Sequence, residues 1–506
     1  MLKRVLVFVH RWLGVALCLL FLIWFPSGIA MMYWPYPSVT PADRLERSPA
    51  LDRSKITVSP VDAYGVLGLD EPPTSVRLNS FDGRPVYRFR AGGYEHVVFA
   101  DNAEELGDVS MEMVNRVASA WTSQPASAAR VESVAAADQW TLQTRLDNVK
   151  PLWKYTWPNG DQVYVSQATG NVIQYTTTGS RLGAYVGPIT HWLYFTPLRK
   201  NGPRWNQVVV WTSGVGTGAA ILGLVIAVWM YSPRKRYRYD GAPTSIPYRG
   251  QKRWHMILGL VFGVATVTWA FSGLLSMEPF PLRREGPPVE RTSGVVRIPQ
   301  AFRGRMLFAS FAGKDPREAL AQVANLQVKE LEFTSIVGEP VYLATMSGGA
   351  SRIIPVDGMP IAELDHDAII DLVKRAAGPE LAEARVLTQY DAYYLDRTRQ
   401  RPLPVILARL NDANQTRFYI NPRNGRIAEA YSAGDWMERW VYHGLHSFNF
   451  PWLYNYRPAW DIVVITFMLG GTALGVTSLV LAWRVLGRTL ARSGVRGASD
   501  VLSDAL

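Results

Sequence analysis

The sequence has almost no cysteine: Cys18 is the only one among 506 residues. A lone cysteine excludes an intrachain disulfide, a thiolate metal cluster and the thioether links of c-type haem. No flavin or nicotinamide motif is present either. The glycine-rich run 214–218 lies inside an apolar segment and follows no predicted strand, so we interpret it as helix packing. Any cofactor must therefore be held by side chains other than cysteine.

Acidic residues are scarce beside the apolar segments. The stretch between the second and third apolar runs has a single acid, Asp240. Its cations are Arg234, Lys235, Arg236, Arg238, Arg249, Lys252 and Arg253. The tail after Trp483 adds Arg484, Arg488, Arg492 and Arg496. Since no basic stripe lies in a soluble region, the net charge of +11 indicates membrane topology and no nucleic-acid partner.

Four long apolar runs are present instead, and each is long enough to cross the roughly 30 Å hydrocarbon core as a helix. They cover 12–33, 206–231, 254–275 and 462–483. The first run is long and lacks a small-residue cleavage site, which argues against a signal peptide. By the positive-inside rule the short basic segments and both termini are cytoplasmic. No acid or base lies deep inside a run, which disfavours an ion-coupled transporter.

Matching motifs at fixed offsets indicate that the chain is a tandem duplication. The first and third apolar runs match at an offset of 245 residues, with His, Leu-Gly, Trp and Ser-Gly at equal spacing. FDGRPVY (81–87) matches IVGEPVY (336–342), and YVSQATG (164–170) matches YINPRNG (419–425), both at an offset of 255. We predict a membrane α-helical bundle of four transmembrane helices, built from two tandem parallel repeats, with two α+β periplasmic domains.

The predicted domain boundaries follow the apolar runs. They are 1–34 for transmembrane helix 1, 35–183 for periplasmic region I, 184–232 for an interfacial helix and helix 2, 233–252 for a basic cytoplasmic loop, 253–277 for helix 3, 278–436 for periplasmic region II, 437–486 for an interfacial segment and helix 4, and 487–506 for a cytoplasmic tail.

Four of the seven histidines form two pairs related by the repeat. His10 opens the first run, and His255 has the same place in the third. His191 and His446 each lie 14 residues before a tryptophan and 21 residues after a turn glycine. The symmetry brings the members of each pair face to face, and two neutral imidazoles suit the axial positions of one haem iron. We predict one bis-histidine b-type haem near each membrane face.

Four glycines share the helix face of these histidines: Gly14, Gly259, Gly28 and Gly273. The first two follow His10 and His255 by four residues, about one turn. The last two follow by 18 residues, about 27 Å along the axis, which places them near the second haem. A porphyrin against this face needs neighbours without side chains. Small residues also let membrane helices pack closely, so the glycines alone leave both interpretations open.

Other assignments of these histidines were considered. His443 precedes His446 by three residues and competes as a ligand, but the repeat has no histidine at the matching position. His443 then orients His446 or contacts a substrate. Zinc needs three or four ligands close together, and only a weak site with Glu438 nearby would be available. Interfacial histidines can also merely snorkel, an alternative that a symmetric set of four disfavours.

Several motifs resemble the PepSY-associated transmembrane family of bacteria. They are HRWLG (10–14), the paired GRPVY and YVSQATGNV motifs, HWLYFTPLR (191–199) and YHGLHSFNFPWLYNYRPAWD (442–461). The resemblance covers 1–486, with motifs typical of one long subfamily, and implies an inner-membrane protein with periplasmic PepSY modules. One branch of the family is similar to di-haem, bis-histidine reductases of ferric siderophores. By that resemblance His10, His191, His255 and His446 are the expected iron ligands.

The leading functional hypothesis is a transmembrane electron conduit in the bacterial inner membrane. A separate donor on the cytoplasmic side, a quinol or a reductase, would supply electrons to a periplasmic acceptor such as a ferric siderophore or another ferric chelate. The haem would supply the redox chemistry. The alternative is a non-catalytic PepSY-type protein that binds or regulates periplasmic enzymes and needs no haem.

Overall fold

A computed structural model describes residues 1–279, 293–303, 306–396 and 399–503, with side chains to residue 490. The chain divides into two compact units. The first, the membrane unit, comprises Met1–Pro37, Thr178–Arg283 and Trp436–Leu506. The second, the sheet unit, comprises Ser38–Thr177 and Arg284–Asp435. The side chains of Arg492 and Arg496, two cations of the predicted tail, lie outside the described part.

The helices follow the apolar pattern of the sequence. In chain order the α-helices are α1 (Leu2–Met31), α2 (Pro41–Arg47), α3 (Pro60–Gly65), α4 (Met111–Thr122), α5 (Thr178–Ala184), α6 (Thr196–Arg199), α7 (Gly202–Met230), α8 (Gly250–Leu275), α9 (Gly294–Arg303), α10 (Pro316–Gln322), α11 (His366–Ala377), α12 (Leu445–Ser447), α13 (Pro451–Tyr454) and α14 (Ala459–Ser503). Within the described residues four of them, α1, α7, α8 and α14, are long and apolar enough to cross a membrane. The four predicted spans are confirmed.

These four helices form a bundle in which each packs against two neighbours, in the cyclic order α1, α14, α8, α7. Helices α1 and α8 therefore lie diagonally opposite. Glycine permits the close approach of α14 to α1, because a Cβ at Gly475 would lie 3.2 Å from the backbone Cα of Leu22. The chain enters α7 and α14 through irregular segments that include π-helical turns at Tyr185–Ile189 and Met437–Gly444.

The strands are, in chain order, β1 (Ser75–Phe81), β2 (Arg84–Ala91), β3 (Tyr94–Phe99), β4 (Arg130–Val134), β5 (Leu152–Thr156), β6 (Gln162–Ser166), β7 (Val172–Thr176), β8 (Tyr237–Tyr239), β9 (Ala242–Thr244), β10 (Val328–Ile336), β11 (Glu339–Met346), β12 (Ser351–Pro355), β13 (Leu381–Leu387), β14 (Val405–Leu410), β15 (Arg417–Asn421) and β16 (Arg426–Tyr431). They form a six-stranded sheet, β12-β11-β10-β1-β2-β3, two four-stranded sheets, β4-β5-β6-β7 and β13-β14-β15-β16, and the hairpin β8-β9.

The six-stranded sheet joins two segments that the sequence presented as separate regions. Strand β1 pairs antiparallel with β10, with Leu78 opposite Leu331. Each of these strands also begins a tight hairpin. Asp82 and Gly83 close the first with φ of 50° and 76°, and Val337 and Gly338 close the second with φ of 57° and 85°. Such turns need two residues in the left-handed region, which explains the glycine in both copies of the motif.

Each four-stranded sheet of the sheet unit is covered by a helix. Val114 and Ala118 of helix α4 pack in one core with Val163 of the sheet β4-β5-β6-β7. Helix α11 buries Ile369 against Ile420 of the other sheet. The sheet unit is thus α+β, and its six-stranded sheet has a buried core of its own.

Candidate functional site

The diagonal arrangement of α1 and α8 brings His10 and His255 together inside the membrane unit. Their ring centres are 6.3 Å apart and the ring planes differ by 42°. The neighbouring α7 makes room for His10 at Gly223, where an added Cβ would lie 2.6 Å from His10 Cε1. These two histidines, 245 positions apart in the sequence, thus face each other across the bundle axis.

A cavity of about 510 Å³ lies beside this pair. Both histidine side chains line it, and so do Gly14 and Gly259. A Cβ built on either glycine would meet no atom within 4 Å, so both glycines border open space. The volume falls within the range of small-molecule and cofactor pockets, about 300–1,000 Å³.

His191 and His446 meet in the same way at the other end of the bundle. Their ring centres are 6.1 Å apart, with an interplanar angle of 71°. His191 follows the π-helical turn before α7, and His446 lies in α12 before α14. Burial lowers the pKa of both rings, that of His446 to about 3 with a further contribution from His191, so both imidazoles are neutral at pH 7.

The segments that contain His191 and His446 are each held by a hydrogen bond from a tryptophan. The indole N–H of Trp205 donates to the carbonyl of Trp192, at 2.9 Å, and that of Trp460 donates to the carbonyl of Ser447, at 3.0 Å. Each acceptor immediately follows its histidine. Two residues after the histidine, Leu193 and Phe448 take left-handed φ values of 53° and 50°. In each segment the tryptophan hydrogen bond thus connects the turn after the histidine to the beginning of the following span.

The Nδ1 atom of each of the four histidines has a hydrogen-bond acceptor. His10 Nδ1 lies 3.0 Å from the carbonyl of Ala219. His191 Nδ1 lies 3.1 Å from the carbonyl of Trp24 and 3.3 Å from Ser27 Oγ. Carbonyl oxygens accept only, so both rings carry their proton on Nδ1.

At the other two histidines the acceptor is a hydroxyl whose own proton is already committed. His255 Nδ1 lies 3.1 Å from Thr477 Oγ1, which donates to the carbonyl of Leu474. His446 Nδ1 lies 3.0 Å from Ser272 Oγ, which donates to the carbonyl of Thr268. In each case the ring therefore donates.

All four rings consequently direct a free Nε2 lone pair away from their Nδ1 partner. Among the described residues no hydrogen bond involves any of the four Nε2 atoms. This is the form in which imidazole binds a metal, with the second nitrogen oriented by a hydrogen bond.

The spacing of the two rings in each pair is close to the spacing that one shared metal ion requires. A metal–imidazole bond measures about 2.0–2.1 Å and the ring centre lies about 1.1 Å behind the nitrogen, so two imidazoles on opposite sides of one metal have centres roughly 6.3 Å apart. The observed separations are 6.3 Å and 6.1 Å. Both separations are thus compatible with two imidazoles that share one metal ion.

The residues that orient the second pair appear in the sequence as part of the repeat, but their role as partners of His191 and His446 was not predicted. Ser27 and Ser272 are 245 positions apart, and so are Trp24 and Trp269. They belong to the WFPSG and WAFSG segments, which end at Gly28 and Gly273. A Cβ at Gly28 would lie 3.4 Å from His191 Cε1, and one at Gly273 would lie 3.8 Å from His446 Cε1. Both glycines thus border the second pair.

His443 lies outside both pairs. Its ring packs on Tyr442 at 4.8 Å, its side chain is 44% exposed, and its Nε2 lies 4.0 Å from Glu438 Oε1. Across the described residues no group of three or more His, Cys, Asp or Glu side chains is arranged to hold a metal ion. Neither histidine pair thus has a third His, Cys, Asp or Glu placed to share a metal ion with it among the described residues.

The sequence matches the family described as PepSY-associated TM region over residues 7–484. The chain belongs to this family. The matched range contains all four paired histidines and the spans that carry them. No curated protein and no solved structure matches the chain.

Proposed function

We propose that this member of the PepSY-associated TM region family is a di-haem b-type electron-transfer protein of the bacterial inner membrane. It passes electrons from the cytoplasmic side to a periplasmic acceptor, such as a ferric siderophore or another ferric chelate. The observation that carries the proposal is the shared state of four histidines: Nδ1 is hydrogen-bonded, Nε2 is free, and the two ring separations suit one iron each.

Bound haem supplies reversible one-electron chemistry, which no side chain of the chain provides at these positions. His10 and His255 would hold one haem, and His191 and His446 the other. The Nδ1 hydrogen bonds orient the rings and raise the basicity of Nε2. The surrounding helices are mostly apolar, and the bundle holds the two pairs at opposite ends.

The proposed direction rests on charge. The end of the bundle with His10 and His255 also has the loop between α7 and α8, whose cations Arg234, Lys235, Arg236 and Arg238 are exposed. By the positive-inside rule this end is cytoplasmic, where a separate quinol or reductase delivers electrons. The other end then faces the periplasm, and its exposed rings of Trp192, Phe195 and Trp452 offer a surface for a bulky acceptor.

The proposal extends to the architecture: the two halves are tandem parallel repeats, and the sheet unit consists of PepSY-type modules. The matching contacts of Ser27 with His191 and of Ser272 with His446 support the repeat. The two hairpins closed by Asp82-Gly83 and Val337-Gly338 support it independently.

Visible spectroscopy of the purified full chain tests the function. Cells are given ample haem precursor, the protein is purified in detergent, and spectra are recorded oxidised and after dithionite. We expect about two haems per chain with sharp low-spin bands on reduction. A colourless preparation would contradict the electron-transfer function and favour a protein that binds or regulates periplasmic enzymes without haem. Reoxidation of the reduced protein by a ferric chelate then tests the acceptor.

A further inference from the structure

The mouth of the cavity beside His10 and His255 is lined by five cations: Arg11, Arg249, Lys252, Arg484 and Arg488. We call this set the cationic rim. Its members come from α1, from the N-cap and first turn of α8 and from the second half of α14. No acid is found among the described residues that line the cavity. The cavity is therefore apolar along its walls, basic at its mouth and provided with two free imidazole nitrogens.

The charge of the cationic rim is largely unbalanced within the described part of the chain. Arg249 lies 3.6 Å from Asp240, and both side chains are about two-thirds exposed, so this pair is weak. No ion pair within 4.0 Å is found for the other four. Positive-inside topology accounts for basic residues at this end in general. It does not account for their placement around the cavity, since the equally exposed Arg234 and Arg236 do not line it.

We propose that the cationic rim binds the two carboxylates of the ligand, so that the cavity selects a flat dianionic tetrapyrrole and holds its acidic edge at the basic end of the bundle. The inference rests on the proposed function, because it concerns the haem of the His10–His255 pair. Arginine and lysine form charge-assisted hydrogen bonds with carboxylates, and the apolar walls next to the mouth reduce the dielectric screening.

This orientation has a structural reason. Cations line one end of the cavity, and the side chains deeper in it, such as Leu17, Phe21 and Leu224, are apolar. Turning the ligand around would bury two carboxylates against these apolar side chains, which is unfavourable because both charges would lose their hydration without gaining a partner. The mouth thus offers the carboxylates both partners and water.

The test compares ferric protoporphyrin IX with its dimethyl ester, which keeps the ring and the iron but lacks both charges. The full chain is produced in haem-deficient cells and titrated in detergent, with the Soret shift as readout. The variant Arg11→Gln/Lys252→Gln/Arg488→Gln is compared with Arg234→Gln/Arg236→Gln/Arg238→Gln, which removes equal charge from the same end but outside the cavity. Size-exclusion profiles establish that both variants are folded.

For the natural chain we expect one of the two equivalents to bind the dimethyl ester about tenfold more weakly than the dicarboxylate. The rim variant should lose this preference by weakening the dicarboxylate alone, and the control variant should keep it. High salt should reduce the preference as well. Absence of a Soret shift with either ligand would contradict the proposed function itself.

Equal affinity for the two ligands, with two equivalents bound, would overturn only the carboxylate recognition and leave the di-haem proposal standing. An equal loss of affinity in the rim and control variants would also overturn it, because the charge would then act as a general field of the basic end.

Discussion

The two histidine pairs of the membrane unit differ most in the space around them. Beside His10 and His255 a cavity is already open, and Gly14 and Gly259 border it without contact. Beside His191 and His446 the neighbours are close: a Cβ at Gly28 would lie 3.1 Å from Met468 Cε. The ring of Tyr442 also lies 5.3 Å from that of His446.

The pairs also differ in charge. Among the described residues, four of the five cations of the cationic rim have no acid within 4.0 Å, whereas Arg457, before α14, forms an ion pair with Asp461. The guanidinium of Arg199 lies over the rings of Tyr194 and Trp205, at 4.9 Å from each. The first histidine pair thus lies beside an open cavity lined by cations, and the second lies among closely packed side chains such as Met468.

The largest change in haem content is expected from replacing one histidine of each pair. His255→Ala and His446→Ala should each lower the haem content from about two per chain to about one, because a single imidazole holds the ring poorly. Haem per protein is measured by the pyridine haemochrome assay. His443→Ala, the matched control, should keep both haems; loss of haem in this control would reassign the ligand from His446.

Filling the open pocket should act on one pair alone. Gly259→Leu places a side chain where no atom lies within 4 Å, in the space proposed for the ring, so one haem should be lost. Gly218→Leu is the control, because Gly218 also has open space around its Cβ position but does not line the cavity. Full haem content in Gly259→Leu would contradict binding against this helix face.

Removing the Nδ1 acceptors should give a smaller and unequal effect. Ser272→Ala leaves the N–H of His446 without its hydroxyl partner, and we expect about tenfold weaker haem binding at that pair. Thr477→Val should weaken the other pair less, because Ser478 Oγ lies 3.5 Å from the same Nδ1 of His255 and can replace it. Soret titration of the two variants decides this, and a larger effect of Thr477→Val would reverse the ranking.

The smallest effect concerns the tryptophan anchors. Trp460→Phe removes the hydrogen bond to the Ser447 carbonyl, and the free energy of unfolding should fall by about 1 kcal/mol. Thermal unfolding in detergent measures it, with Trp483→Phe as control since Trp483 is 78% exposed. A drop as large in Trp483→Phe would show that the anchor contributes nothing specific.

Much of the membrane unit was predictable from the sequence, because apolar runs and equal spacings are local signals. The pairing of His10 with His255 and of His191 with His446 followed from those spacings alone. The open cavity could not be predicted, since it depends on which helix faces meet.

The hydrogen-bond partners of the histidines likewise include some that the sequence could reveal and some that it could not. Ser27 and Ser272 repeat in the sequence and could have been found. Ala219 and Thr477 could not, because one acts through its backbone carbonyl and the other through its hydroxyl, and they do not occupy matching positions. Nor did any local signal show that β1 and β10 would pair, since strand pairing over such a distance depends on the assembled core.

That pairing has a consequence for synthesis of the chain. Strand β1 leaves the ribosome about 250 residues before β10, which covers it in the finished sheet. Until then Val76 and Leu78, both completely buried in the native sheet, lie on a strand whose free edge can pair with other chains. The sheet therefore stays incomplete until the second half of the protein has been synthesised. A chain cut between its halves leaves a fragment whose unpaired strand edge is prone to aggregate.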